Sequence, residues 1–244
     1  MRNIKLTIEY DGTQFGGWQK QPNHLNIQGE IEKAIQTVTG KEVELIGSGR
    51  TDAGVHAFAQ IANFKIDTDF PLEKMAIAFN SQLKKSIRIK KVEEVEEDFH
   101  SRYHCHKKTY GYIIDNSEQG TAVYRNMTYH VPQLLDIEAM QKAANYLIGE
   151  HDFSSFKSSG TSSKSSVRTL YNAQVLKEQE RVVIQLTGNG FLYNMVRIIS
   201  GTLVEIGKGE KKPEEMKLIL EAKDRSLAGK TLPPQGLFLM NVEY

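Results

Sequence analysis

The sequence predicts an α+β fold built from two related halves that share a sheet. Strand-like and helix-like patterns alternate along the chain, and they follow a similar βαβ-like order in each half. The 244 residues, 39% of them hydrophobic, are enough to bury a substantial core. We expect an N-terminal half over 1–115 that carries a glycine-rich turn around Asp52, and a C-terminal half over 116–244 that completes a cleft.

The first half opens with a strand, because Ile4, Leu6, Ile8 and Tyr10 alternate with other residues. The helical spacing of the apolar residues after Asn26 predicts a helix over 26–39 that stops at Gly40. The other elements predicted here are a short strand in EVELIGSG (42–49), a strand in HAFAQIANFKI (56–66), a helix from Pro71 to about Leu83, and strands over 86–97 and 99–115.

The second half shows the same types of strand and helix pattern. Its predicted elements are a helix marked by Ile137, Met140, Ala144 and Leu147, paired strands in RTLYNAQVLKE (168–178) and RVVIQLTGN (181–189), helices over 191–207 and 213–224, and a closing strand over 236–244.

Composition excludes several classes of protein. Cys105 is the single cysteine, which rules out an internal disulfide framework and a multi-cysteine zinc site. The N-terminus reads as a strand and not as a signal peptide. Arg197 interrupts the longest apolar helix candidate and argues against a membrane span. We therefore expect a soluble cytoplasmic protein.

Charge is nearly balanced overall but uneven locally. The formal net charge is +1, so bulk charge gives no argument for a nucleic-acid partner. KKSIRIKK (84–91) concentrates five positive charges, and EEVEED (93–98) follows with five negative ones. This segregation either gives the protein a basic face or marks a solvated edge strand.

The predicted strand over 99–115 places basic and aromatic residues on one face, because side chains alternate along a strand. The row favours RNA contact, with phosphate binding at one end and base stacking at the other. Two alternatives are the wet side of an antiparallel sheet and a zinc site, which no matching carboxylate or thiol pattern supports. The row comprises His100, Arg102, His104, His106, Lys108, Tyr110 and Tyr112.

A serine-rich loop over 154–166 holds eight serines. With Lys157, Lys164 and Arg168 it either closes on phosphates or is an inert surface connection.

The turn GSGRTDAG (47–54) places Asp52 between glycines just before a strand. An aspartate in such a turn is often a turn former whose oxygen accepts a backbone N–H. Catalysis is the alternative, because Arg50 would favour the ionised carboxylate and the glycines would let a ligand approach.

Four motifs resemble the TruA family of tRNA pseudouridine synthases, in the same order and over nearly the full chain: GSGRTDAGVHA, FHSRYHCHKKTYGY, GNGFLYNMVRIISG and PPQGLFLMNVEY. The resemblance implies isomerisation of uridine to pseudouridine at positions 38, 39 and 40 in the anticodon stem-loop of tRNA. It also implies a homodimer, no metal or organic cofactor, and a mixed, largely antiparallel sheet flanked by helices.

The resemblance assigns roles to five residues. Asp52, in the RTDAG motif, matches the nucleophile of the family. Tyr110 matches the tyrosine that lies against the target uracil, and Arg197 matches the arginine that pairs with the catalytic carboxylate. Arg50 matches the arginine associated with displacing the target base, and Leu237 matches the leucine that packs beside the site.

Two other functions remain open at this point. An RNA-binding paralogue could act as a chaperone for tRNA folding, without chemistry. An N-glycoside hydrolase would also use a carboxylate to assist loss of a base, but no clear second acid accompanies Asp52.

Overall fold

A computed structural model describes residues 1–22, 24–160 and 165–244. In this part of the chain, ten strands form a mixed, mostly antiparallel sheet that is flanked by five helices. The predicted α+β class is therefore confirmed. In chain order the elements are β1 (Arg2–Tyr10), α1 (Ile27–Thr39), β2 (Ile46–Gly47), β3 (His56–Ile66), α2 (Leu72–Gln82), β4 (Ile87–Val95), β5 (Lys107–Asp115), β6 (Tyr129–His130), α3 (Ile137–Asn145), β7 (Gly149–Asp152), β8 (Val167–Glu178), β9 (Arg181–Gly188), α4 (Met195–Gly207), α5 (Glu215–Ala222) and β10 (Leu237–Glu243).

The chain forms two compact units. Unit 1 comprises Met1–His106 with Leu239–Tyr244, and unit 2 comprises Lys107–Phe238. The C-terminal residues of the chain thus belong to the same unit as its N-terminal strand.

Unit 1 is organised around β1, which pairs antiparallel with β3 on one side and β4 on the other. The alternation that predicted β1 is confirmed, because its four apolar residues are all buried. Helix α1 begins where the Asn26 side chain accepts a hydrogen bond from the Gly29 amide, and it ends at Gly40, which is left-handed at φ 71°. The short β2 pairs with β3 and leads into the Asp52 turn.

In unit 2 the strands follow the order β5–β9–β8–β7, with antiparallel neighbours, and β6 runs parallel to β5. The predicted hairpin of β8 and β9 is confirmed, with Gln179 left-handed at φ 54° in its turn. Helix α3 starts at Asp136, whose side chain accepts from the Ala139 amide, and it packs against β8 and α4. No helix in the described ranges is long and apolar enough to cross a membrane.

The strand predicted over 99–115 is wrong in its first part. Strand β5 begins at Lys107, and residues 100–106 form an irregular segment with a turn at 101–103, which we call the 100–106 turn. His100 causes this, because its Nδ1 accepts hydrogen bonds from the amides of Arg102 (3.1 Å) and Tyr103 (3.3 Å). Ser101 is pulled inward, where Asn63 Oδ1 accepts from its amide and its hydroxyl. The continuous basic and aromatic face through His100, Arg102, His104 and His106 therefore does not exist.

Other predicted elements are also shorter than expected, such as the helix predicted over 213–224, which spans Glu215–Ala222. The strand in EVELIGSG is reduced to Ile46–Gly47. The helix predicted over 191–207 begins only at Met195, because Asn194 is left-handed at φ 61° and breaks the helical path.

Candidate active site

The backbone of the Asp52 turn is fixed by residues from outside the turn. The Tyr10 hydroxyl bonds to Thr51 Oγ1 at 2.7 Å in a buried position, and the Trp18 amide donates to the Thr51 carbonyl at 3.0 Å. The Val55 amide closes the turn by donating to the Asp52 carbonyl at 3.1 Å. The residue directly before Asp52 is therefore held through both its side chain and its backbone.

Glycine is required where a neighbouring loop touches this turn. Gly17 is left-handed at φ +97°, and a Cβ added there would lie 2.5 Å from the Thr51 carbonyl oxygen. A Cβ on Gly12 would lie 2.0 Å from the carbonyl oxygen of Val55. Both contacts are with backbone atoms that cannot move aside cheaply. The DGTQFGG segment (11–17) can therefore pack closely against the turn because glycine stands at both contact points.

A second set of hydrogen bonds holds the start of the turn. The Gln60 side chain donates to the Gly49 carbonyl at 2.9 Å and accepts from the Ser48 hydroxyl at 2.6 Å. Burial raises the pKa of the nearby Tyr10 phenol well above its usual value, an effect larger than the opposing hydrogen bonds with Thr51 and Gln60. The Tyr10 hydroxyl therefore stays protonated and keeps its bond to Thr51 at any physiological pH.

Arg50 and Asp52 lie on this same turn. Asp52 is half-buried, whereas Arg50 is exposed. The Nε of Arg50 donates to Oε1 of Gln19 at 3.0 Å, so a side chain from the DGTQFGGWQ segment holds the guanidinium. A carboxyl and a guanidinium group thus stand two residues apart on a turn whose backbone is bonded to neighbouring residues.

In unit 2, Tyr110 is 8% exposed and lies on β5 opposite Leu186 of β9. Its ring meets the ring of Phe191 edge to face, with centroids 5.1 Å apart and planes at 78°. This geometry is favourable for an aromatic pair and fixes the orientation of the tyrosine ring. Sequence reasoning missed the role of Phe191, although it stands in the same GNGFLYNMVR motif as Arg197.

Arg197 is held at the start of α4. Its Nε donates to the Leu232 carbonyl at 2.6 Å, and its Nη1 donates to Oδ1 of Asn194 at 2.7 Å. The same left-handed Asn194 that delays the helix therefore orients the guanidinium. These two bonds orient the guanidinium of Arg197, which is half-buried and makes further interactions.

The segment before Leu237 is also clamped within unit 2. The Tyr112 hydroxyl donates to the Pro233 carbonyl at 2.7 Å, and a Cβ on Gly236 would lie 2.7 Å from Cζ of Tyr112. Leu237 follows and is buried. Unit 2 thus fixes Arg197 and the stretch leading to Leu237 through the adjacent carbonyls of Leu232 and Pro233.

Comparisons with known proteins match this chain over its full length. A family model described as tRNA pseudouridine synthase matches residues 6–104 and 143–244. The proteins named tRNA pseudouridine synthase A from Caldicellulosiruptor bescii and Caldicellulosiruptor saccharolyticus are 53% and 52% identical to it, and the one from Acetivibrio thermocellus is 49% identical. Each of these alignments spans 244 residues and covers all of both chains.

The chain belongs to the tRNA pseudouridine synthase family. The resemblance seen in the sequence is therefore confirmed, and so is the class of enzyme, an isomerase.

For a member of this family, the basic segment KKSIRIKK (84–91) is less electropositive than its sequence indicates. Lys84 pairs with Glu30 at 3.3 Å, Lys90 with Glu9 at 3.3 Å, and Lys91 with Glu93 at 2.7 Å. Much of the positive charge is therefore matched by acids of unit 1.

The described residues of the serine-rich loop take part in local hydrogen bonds. Lys157 donates to the Ser166 hydroxyl at 2.7 Å, and Arg168 donates to the Ser165 carbonyl at 3.0 Å. Partial burial lowers the pKa of the Arg168 guanidinium below its usual value. Lys164, which sequence reasoning grouped with these two cations, lies outside the described residues.

The three histidines considered for zinc lie in the 100–106 turn. Across residues 1–22, 24–160 and 165–244, no group of three or more His, Cys, Asp or Glu side chains is arranged to hold a metal ion.

Proposed function

We propose that this chain isomerises uridine to pseudouridine at positions 38, 39 and 40 in the anticodon stem-loop of tRNA, with Asp52 as the nucleophile. Membership in the family supports the reaction. The observation that supports Asp52 is the fixation of its turn by the hydroxyl of Tyr10, the amide of Trp18 and the side chain of Gln60. A reactive side chain needs such support from several neighbouring elements, because it must be held close to its productive geometry.

The reaction breaks the C1′–N1 glycosidic bond, turns the base and forms a C1′–C5 bond. The proton of C5 leaves and N1 gains one, so the overall change is an isomerisation. A carboxylate can add to C1′, add to C6 of the ring, or support removal of the 2′ proton to give a glycal. Each of these routes needs Asp52 ionised and close to the sugar.

In this proposal the other residues support the carboxylate and the base. Arg197 pairs with Asp52 and keeps it unprotonated, because a desolvated carboxylate needs a cationic partner. Tyr110 stacks on the detached uracil, so that the base does not diffuse away, and it acts on the proton leaving C5. Leu237 packs beside the base as an apolar wall.

The target nucleotide must leave its helical stack before any of this chemistry. Extrusion of a stacked base costs a few kcal/mol. Arg50 fills the vacated space and pairs with phosphate or base. We further propose that the 100–106 turn, KKSIRIKK and the serine-rich loop contact the RNA backbone, with the positive charge of KKSIRIKK reduced by its ion pairs.

We also propose a homodimer, on the resemblance to the family. Light scattering during size-exclusion chromatography should give twice the mass of the 244-residue chain. The halves predicted over 1–115 and 116–244, with the second completing the cleft, stay a prediction.

Position-resolved chemistry tests the function. Unmodified tRNA incubated with the protein should gain carbodiimide-reactive pseudouridine at positions 38, 39 and 40. Free uracil with an abasic site would instead indicate an N-glycoside hydrolase, and tight binding without conversion would indicate an RNA-binding paralogue. Conversion at other uridines would overturn the proposed positions.

Asp52→Asn tests the nucleophile, because an amide keeps the shape of the side chain and removes its charge. Nucleoside mass spectrometry should find no pseudouridine above background, while tRNA binding stays close to that of the wild type. Asp69→Asn, the same change at an exposed residue of unit 1, is the matched control and should stay fully active. Appreciable turnover by Asp52→Asn would remove the assignment.

A further inference from the structure

A chain of hydrogen-bonded side chains runs from the Arg50 guanidinium into the interior of unit 1. Arg50 Nε donates to Gln19 Oε1 at 3.0 Å, and Gln19 Nε2 donates to Gln28 Oε1 at 2.9 Å. Gln28 Nε2 then donates to Glu32 Oε1 at 3.0 Å. The chain begins at an exposed cation and ends at a carboxylate that is only 9% exposed.

The direction of this chain is fixed by chemistry. A carboxylate such as Glu32 can only accept hydrogen bonds, and a guanidinium such as Arg50 can only donate them. An amide that gives its NH₂ group to Glu32 must therefore turn its oxygen toward Gln19, and Gln19 must turn its own oxygen toward Arg50. Glutamine side chains can adopt either orientation in isolation, so the two ends of the chain select one.

Gln28 is the rigid link in the chain. Its Nε2 also donates to the Leu45 carbonyl at 3.1 Å, and its Oε1 also accepts from the Lys20 amide at 3.0 Å. All four hydrogen-bonding positions of this amide are occupied, and the residue is 7% exposed. A flipped Gln28 would set donor against donor at Lys20 and acceptor against acceptor at Leu45 and Glu32.

Glu32 is anchored in turn. Its Oε1 accepts from the Leu45 amide at 3.1 Å, and its Oε2 accepts from Lys20 Nζ at 2.9 Å. Leu45 directly precedes β2, the strand that leads into the turn bearing Arg50. The Glu32 carboxylate thus bonds to the backbone just before the turn, at Leu45, and to the side chain of Gln28, through which the hydrogen-bonded chain reaches Arg50.

We propose that Gln19, Gln28 and Glu32 form a relay of fixed polarity that orients the Arg50 guanidinium toward the RNA. The relay presents one acceptor to Nε and so sets the plane of the guanidinium, leaving the edge with Nη1 and Nη2 to meet phosphate or base. The proposed role of Arg50 in base displacement underlies this inference. The relay residues are positioning residues that act through Arg50.

An exposed arginine would otherwise sample many rotamers, and few of them would suit insertion beside a departing nucleotide. Orientation before the RNA arrives lowers the cost of reaching the reactive geometry. The relay should therefore affect the turnover of bound tRNA more than its binding, because binding draws on many phosphate contacts.

A double-mutant cycle tests the relay. Gln19→Ala should lower kcat about 10-fold, the effect expected when a hydrogen bond to a charged group is lost, and should change the Kd for tRNA less than about 2-fold. Arg50→Ala should lower kcat further. The double variant should match Arg50→Ala alone, because Gln19 has nothing to orient once the guanidinium is gone.

Gln36→Ala is the matched control, since Gln36 lies on α1 as Gln28 does, and its side chain donates at 3.1 Å to the exposed Glu42, which is not part of the relay. It should keep the wild-type kcat. Gln28→Leu removes the link one step further in and should reproduce the kcat of Gln19→Ala with Gln19 intact. Where Gln28→Leu folds poorly, the half-buried Gln19 still gives the decisive result.

The NMR signal of the Arg50 Nε–H reads the relay without any activity measurement. It should exchange slowly with solvent in the wild type and in Gln36→Ala, and quickly in Gln19→Ala and Gln28→Leu. Fast exchange in the wild type would overturn the relay.

Two kinetic results would also overturn it. In the first, Gln19→Ala lowers kcat by the same factor in the wild type and in the Arg50→Ala variant. Gln19 would then act independently of Arg50. The other is an unchanged kcat in Arg50→Ala. Since Asp52→Asn tests the nucleophile by itself, failure of the relay and failure of the proposed function give different patterns.

Discussion

The segments 47–54 and 100–106 are both irregular and both rich in functional groups, yet the parts of them that carry the functional side chains are held differently. Residues outside the first segment fix its backbone. Thr51, for example, is bonded by both Tyr10 and Trp18. In the second segment, Asn63 and Tyr244 bond to Ser101 from outside, whereas the exposed Arg102 and Tyr103 are held by the segment's own His100 ring, which accepts hydrogen bonds from their amides.

Their side chains differ in the same sense. Asp52 is half-buried on its fixed turn, whereas Tyr103 is 74% exposed, with its ring 4.2 Å from that of His100. A nucleophile must be placed to a fraction of an ångström, which requires support from several elements. A surface that contacts a flexible RNA backbone tolerates exposed side chains with less support. This difference is consistent with the chemical role proposed for the first segment and the binding role proposed for the second.

Among the variants that test this difference between the two segments, Gly17→Ala should have the largest effect on stability and kcat. A left-handed alanine costs about 1–2 kcal/mol, and a Cβ pressed against the Thr51 carbonyl adds about 1–3 kcal/mol. We expect a marked loss of stability in urea and a loss of kcat, because the Asp52 turn must shift.

Gly40→Ala is the matched control for Gly17→Ala. Gly40 is also left-handed, at φ +71°, but no atom lies within 4 Å of an added Cβ. It should cost only the backbone strain and leave kcat unchanged. Equal effects of the two variants on kcat would contradict the account of how the turn is supported.

A smaller effect is expected from Tyr10→Phe, which removes one hydrogen bond to the turn. Thr51 is buried, so losing the partner of its hydroxyl should cost about 1–3 kcal/mol of unfolding free energy and lower kcat several-fold. Tyr103→Phe, at an exposed ring, should change the unfolding free energy by less than about 0.5 kcal/mol. A kcat for Tyr10→Phe equal to that of wild type would mean that this bond serves stability alone.

The smallest effect is expected at the surface. Arg102→Ala should weaken tRNA binding and reduce the slope of log Kd against log salt by about 1, as for one lost phosphate contact. Lys90→Ala should reduce it less, because Lys90 is paired with Glu9 at 3.3 Å. A larger change of slope for Lys90→Ala would place the RNA on the β4 face instead of the 100–106 turn.

Much of the fold could be predicted because its signals are local. The alternation of Ile4, Leu6 and Ile8 defined β1, and the caps at Asn26 and Gly40 bounded α1 within one residue. These patterns come directly from burial on one face and from backbone groups that need a cap.

The 100–106 turn could not be predicted from the same rules. Its residues alternate in type, but no buried face produces that alternation. The bonds that decide its shape are the imidazole of His100 accepting nearby amides and Asn63, 38 residues away along the chain, binding Ser101. Period-two patterns of polar residues are therefore weak predictors of a strand.

For the candidate site, the sequence identified the residues with chemical groups but not those that hold them. Asp52, Tyr110 and Arg197 stood out through their motifs. Phe191 and Gln19 did not, because an aromatic contact and a side-chain hydrogen bond become visible only in three dimensions.

The most direct test of the central claim is single-turnover release of tritium from 5-tritiated tRNA by Asp52→Asn at saturating enzyme. Saturation removes any contribution from binding, and formation of the C1′–C5 bond must expel the tritium carried by C5. The account predicts no release above background, with full release by Asp69→Asn. Release by Asp52→Asn at a rate near that of the wild type would contradict it.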